Sequence, residues 1–180
     1  MAKLIEINNA DDILVEYRNT PIGLLLEYHN LNRVFTHYEQ AKLMIGLCAD
    51  PRISLWLPDN FAYIFRTGGA NLFYQEFQVS YTIGVGDIKH IALIANNECR
   101  MENLNDSKER FIEGMVRNAG WKVEDARSHF EGLAPFFEIG NSIDFILSES
   151  ARIQKRYPDV TVAHLFFDVN SKQLSQIVED

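Results

Sequence analysis

A thiol, a carboxylate and a guanidinium lie two residues apart where the first strongly apolar run of the chain ends. Cys48, Asp50 and Arg52 follow this run, which covers residues 43–47. A cysteine thiolate can bind a metal ion, a carboxylate can act as an acid or a base, and an arginine can keep that carboxylate ionised. If the backbone stays extended, the three side chains face the same side. The spacing therefore predicts that three reactive side chains share one surface at the end of a buried strand.

The second cysteine of the chain, Cys99, follows another apolar run over residues 90–98. Two parallel strands that end side by side would bring its sulfur to that of Cys48. In a reducing compartment, two cysteines more often stay thiols or bind a metal than form a disulfide. Three alternatives stay open: both cysteines are small buried apolar residues, they form a reversible disulfide, or Asp50 and Arg52 only tie a loop.

Strands and helices alternate along the chain, which predicts an α/β fold. We expect a mostly parallel central sheet of four strands plus an antiparallel edge strand, flanked by helices, in a single domain over residues 1–180. An N-terminal helical arm within residues 1–38 packs either on a partner subunit or on its own domain. Strands are predicted over residues 42–48, 61–66, 89–95 and 160–169, and a closing hairpin strand is predicted over 173–178. Helices are predicted over residues 10–32, 72–84, 103–133 with a break near Gly120, and 141–156.

Composition and charge narrow the class of protein. The chain has 180 residues, of which 47% are hydrophobic, and a formal net charge of −8, so it can bury one core but offers no basic stripe for nucleic acid. No stretch approaches the roughly 18 apolar residues of a membrane span, and the first residues lack the pattern of a signal peptide. We therefore expect a cytoplasmic protein with neither a nucleic-acid nor a membrane partner.

Three short motifs in a fixed order resemble those of the β-class carbonic anhydrases. They are Cys48-x-Asp50-x-Arg52, the turn Arg66-Thr67-Gly68-Gly69, and Asn96-x-x-Cys99-Arg100-Met101. The resemblance covers about residue 40 to the end. It implies that Cys48 and Cys99 are zinc thiolates and that Asp50 pairs with Arg52, leaving a metal position free for water. In related enzymes the same aspartate can bind the zinc itself, which makes Asp50 a third candidate ligand.

The activity implied by this resemblance is the reversible hydration of carbon dioxide to bicarbonate by a zinc-bound hydroxide. Asp50 and Arg52 would be the catalytic residues, zinc the cofactor, and a homodimer or homotetramer the assembly. A relative acting on a similar small linear molecule, such as carbonyl sulfide, belongs to the same hypothesis. A zinc-held water loses its proton near neutral pH, so the chemistry is consistent with the two thiols.

Two positions depart from the family pattern. Asn96 stands where the family has its zinc histidine, and Arg100 stands where it has a glycine. A neutral carboxamide is a poor zinc ligand, so zinc is absent, weak, or completed by Asp50 in a closed arrangement of two cysteines and an aspartate. Arg100 fills the pocket, recruits an anion such as bicarbonate, or points to solvent.

Other histidines are candidates to replace the missing ligand, although ordinary surface or core roles are expected for all of them. His90 begins the strand that leads to Cys99 and should lie about 20 Å away at its far end. His164 lies on another strand, while His29 and His37 could come from a partner chain. The alternative to an enzyme is therefore a catalytically degenerate homologue with weak or no zinc, acting as a binding or regulatory protein.

Overall fold

The computed structural model describes residues 2–179 as an α/β fold built on one six-stranded sheet. The strands run β1 (Lys3–Glu6), β2 (Leu43–Cys48), β3 (Ala62–Thr67), β4 (His90–Asn96), β5 (Thr161–Phe167) and β6 (Leu174–Val178). Their order across the sheet is β1-β6-β5-β4-β2-β3. The four strands β3, β2, β4 and β5 are parallel to one another, whereas β6 pairs antiparallel with β5. This confirms the predicted fold class.

In the described range, five α-helices flank the sheet: α1 (Pro21–Asn30), α2 (Glu76–Gly84), α3 (Lys108–Ala119), α4 (Val123–Phe137) and α5 (Ser142–Arg156). Local sequence sets their ends. The Thr20 hydroxyl caps α1 ahead of a proline at its first position, and the Asn141 side chain caps α5. Gly120, at φ +70°, ends α3 in the left-handed conformation that glycine adopts at little cost. No helix in the described part of the chain is long and apolar enough to cross a membrane.

Side chains of the central strands alternate between two apolar layers, one on each face of the sheet. One layer contains Leu43 and Ile45 of β2 together with Leu25 of α1. The other contains Met44 of β2 together with Ile146 of α5. Every residue of β2 is buried, because helices cover both faces of the sheet. The strand that carries Cys48 is therefore held rigidly in the middle of the core.

The N-terminal segment differs from its prediction in two ways. Only residues 21–30 of the predicted helix over 10–32 form an α-helix, preceded by a short 3-10 turn at Ala10–Asp12. Lys3–Glu6 form an unpredicted edge strand, β1, which pairs antiparallel with β6. The arm packs on its own chain, since Leu25, Leu26 and Tyr28 are completely buried in the core.

Candidate functional site

The two cysteines meet at one rim of the sheet. Cys48 is the last residue of β2, Cys99 follows the end of the adjacent parallel strand β4, and their Sγ atoms lie 3.8 Å apart. Both are buried, and both are free thiols. Two thiolates bound to one tetrahedral metal at about 2.3 Å each would lie about 3.8 Å apart. The spacing of the sulfurs therefore fits two ligands of one zinc ion.

The protons of the two thiols are strongly coupled. The pKa of Cys48 is lowered to about 6, first by a hydrogen bond from the Cys99 thiol and then by the backbone N–H groups of Gly69 and Asp50, with burial opposing. The pKa of Cys99 is raised, first by its hydrogen bond to Cys48 and then by burial, and the negative charge of the neighbouring sulfur adds to this. A divalent cation between the sulfurs would remove this penalty.

Asp50 and Arg52 form the ion pair that the sequence suggested, although by a different route. The backbone turns here instead of staying extended, because the Ile53 N–H donates to the Asp50 carbonyl at 3.1 Å across Pro51. Asp50 Oδ1 accepts from the Arg52 N–H at 2.9 Å, and Oδ2 accepts from Arg52 Nη2 at 2.7 Å. The backbone is therefore not extended here, although Cys48, Asp50 and Arg52 still line one cavity.

The guanidinium of Arg52 also joins the two cysteine loops. Its Nη1 donates to Glu98 Oε2 at 2.5 Å, and Nη2 donates to the Glu98 carbonyl at 3.3 Å. Hydrogen bonding by Arg52 lowers the pKa of Asp50 to about 2, and the positive charge of Arg100 adds to this effect. The carboxylate is thus an ionised acceptor. Sequence reasoning missed Glu98, whose position beside Cys99 was the only available signal.

A tight turn closes the site on the side of β3. Gly69 has φ +61°, and a Cβ atom there would lie 2.5 Å from Ile139 Cδ1. Its N–H donates to Cys48. Glycine is therefore favoured at this turn, because a side chain would strain the backbone and crowd Ile139.

Asn96 lies at the end of β4, where it is 1% exposed. Its Nδ2 donates to the Asn97 carbonyl at 2.8 Å. By strand alternation its side chain points to the same face as those of Ala92 and Ile94, which share an apolar layer with both cysteines. Among residues 2–179, no group of three histidine, cysteine or acidic side chains is arranged to hold a metal ion.

Within the part of the chain that the structure describes, the histidines do not complete a metal site. His29 bonds the Lys172 carbonyl through Nε2 at 2.9 Å and accepts the Trp56 N–H at Nδ1 at 3.0 Å. His164 pairs in register with Leu93 in the middle of the sheet. His90 begins β4, at the opposite end from the cysteines.

A cavity of about 340 Å³ opens beside Cys48. Its lining residues are Cys48, Ala49, Asp50, Pro51, Arg52, Gly68, Arg100 and Met101. A space of this size beside an ionised carboxylate can admit a small molecule.

The fold is that of the β-carbonic anhydrases. The isoform I enzyme of Trichomonas vaginalis superposes with a TM-score of 0.64 at 15% identity, covering 81% of this chain and 88% of that one. Carbonic anhydrase from Streptococcus mutans superposes with a TM-score of 0.57 at 14% identity, covering 91% of this chain and 99% of that one. The apo form of a carbon disulfide hydrolase superposes with a TM-score of 0.54 at 18% identity, covering 89% of this chain and 90% of that one. No protein-family model and no curated protein sequence matches the chain.

Proposed function

We propose that this β-carbonic anhydrase-like protein binds zinc through Cys48 and Cys99 and catalyses the reversible hydration of carbon dioxide to bicarbonate. The observation that carries the proposal is the 3.8 Å separation of two buried sulfurs beside the ion pair of Asp50 and Arg52. Zinc, when bound, supplies the Lewis acidity that ionises water near neutral pH.

The chain's own residues would position the reactants. Asp50 is held as an acceptor by Arg52, so it can orient a water or hydroxide hydrogen atom in the cavity. Ala49, Pro51 and Met101 give part of the cavity an apolar wall suited to a small linear molecule. Asp50 can become a third zinc ligand only if its ion pair with Arg52 breaks. Arg52 would then still be paired with Glu98.

Metal analysis combined with stopped-flow hydration tests the proposal. Protein purified with zinc should hold about one ion per chain, and Cys48→Ser and Cys99→Ser should each lose most of it because two thiolates supply the binding energy. Ser150→Ala, which removes a buried hydroxyl without a hydrogen-bond partner among the described residues, is the control. A wild-type protein without zinc and without hydration above buffer would contradict the proposal.

A second candidate function follows from Asn96. Because this residue replaces a histidine ligand of the resembled family, the chain can instead be a degenerate homologue that acts as a binding or regulatory protein. Robust hydration of carbon dioxide by the unaltered chain would exclude this candidate. Since one structural neighbour is a carbon disulfide hydrolase, the same assay should include carbon disulfide.

We also propose a homodimer or homotetramer in the cytoplasm. Support for the assembly comes from exposed apolar side chains on the edge strand β3 and on α2, namely Tyr63, Ile64, Phe77 and Tyr81. The two free thiols suit a reducing compartment. Light scattering after size-exclusion chromatography measures the mass directly, and a mass of one chain would contradict the assembly.

A further inference from the structure

One arginine side chain joins the two loops that carry the cysteines. Arg52 follows Cys48 in the first loop, and its guanidinium binds the carboxylate of Asp50 through Nε and Nη2. The remaining nitrogen, Nη1, donates to the carboxylate of Glu98, and Nη2 also donates to the Glu98 carbonyl at 3.3 Å. Glu98 directly precedes Cys99. Arg52 is therefore shared between two carboxylates, one from each loop.

The backbone at Glu98 has a conformation that a glutamate rarely adopts. Its φ of +55° lies in the left-handed region, which is unfavourable for a residue with a Cβ atom. Such a conformation persists where the surrounding contacts hold it. Here Arg52 bonds both the side chain and the carbonyl of Glu98, and Lys172 Nζ bonds the Arg52 carbonyl at 3.1 Å from the turn between β5 and β6. Glu98 is thus held against Arg52 by several contacts.

Asp50 offers a third donor to an ion held by Cys48 and Cys99. Among the described residues that line the cavity beside Cys48, Asp50 is the only acid and none is a histidine. Binding an ion through this carboxylate would break its pair with Arg52. The cost of that break depends on whether the guanidinium keeps another partner. Since Glu98 binds Nη1, which Asp50 does not use, it keeps the positive charge paired after Asp50 has moved.

We propose that Glu98 is a positioning residue of the metal site, which retains Arg52 and so lowers the cost of turning Asp50 from Arg52 to the metal. This role rests on the proposed zinc site. Loss of the charge on Glu98 should hold Asp50 on Arg52 for more of the time, so metal affinity should fall. Because the pair of Arg52 and Glu98 is partly exposed, the change should be about two- to fivefold.

Cobalt(II) is a suitable probe because its visible absorption reports the atoms bound to it. The full chain is freed of metal with a chelator, loaded with cobalt(II), and titrated with a competing chelator. Glu98→Gln should weaken binding by about two- to fivefold and shift the ligand-field bands toward those of Asp50→Asn, while the thiolate charge-transfer absorption stays. Glu109→Gln removes a comparable exposed ion pair, with Arg127 of α4, and should change neither the affinity nor the bands.

A double-substitution cycle separates this role from a structural or a general electrostatic one. In the Asp50→Asn background, Glu98→Gln should not lower cobalt affinity further, because no carboxylate is left to turn from Arg52. An equal loss in both backgrounds, or no loss in either, would overturn the proposal. A wild-type chain that binds neither cobalt nor zinc would overturn it together with the zinc site. The expected cycle without hydration of carbon dioxide would count against the proposed activity alone.

Discussion

Replacing Asn96 by histidine tests whether this position lies beside the two sulfurs. A structural zinc site is worth roughly 10–16 kcal/mol over four ligands, or about 3 kcal/mol for each ligand. Asn96→His should therefore tighten zinc binding by about a hundredfold, measured by competition with a chromogenic chelator. Asn118→His adds a histidine to the exposed surface of α3 and should not change the affinity.

The same substitution should weaken the metal-free fold. It removes the 2.8 Å hydrogen bond from Asn96 to the Asn97 carbonyl, worth about 1 kcal/mol, and it places a larger ring at a position only 1% exposed, at a further cost of about 1–3 kcal/mol. Zinc at about 100 times its dissociation constant should restore about 2.7 kcal/mol. A folded Asn96→His protein that binds zinc no more tightly than the wild type would refute the reasoning.

Two other predictions concern stability and are measured by urea unfolding. Gly69→Ala should lower the free energy of unfolding by about 2–4 kcal/mol, because it forces a Cβ into a left-handed backbone and against Ile139. The control is Gly132→Ala, which adds a Cβ in open space on α4 and should raise the free energy of unfolding by about 0.5–1 kcal/mol. Equal effects would contradict this. Burial lowers the pKa of His29 below 6.5, with its bond to Lys172 opposing. Neutral, buried His29 therefore contributes fully to the free energy of unfolding above pH 6.5. This contribution is lost as the pH falls through the pKa of His29 in the folded state. His29→Gln should flatten this loss of stability on acidification, and an unchanged pH dependence would count against the prediction.

Local patterns in the sequence were sufficient to predict the parallel strands and most of the helices. Continuous apolar runs predict buried strands such as β2 and β4, and the side chain of Asn141 predicts the start of α5. The short strand β1 was not predicted, because its place depends on pairing with β6 at the other end of the chain. Pairing of this kind has no local signal.

The sequence by itself determined which chemical groups are available: two thiols, an aspartate and an arginine, with Asn96 three residues before the second thiol. Only the tertiary structure decided how they meet. The adjacency of β2 and β4 sets the 3.8 Å between the sulfurs, and a turn at Pro51 aims Asp50 at Arg52. The partner Glu98 emerges only in three dimensions, because contacts between separate loops depend on how the strands carrying them are arranged.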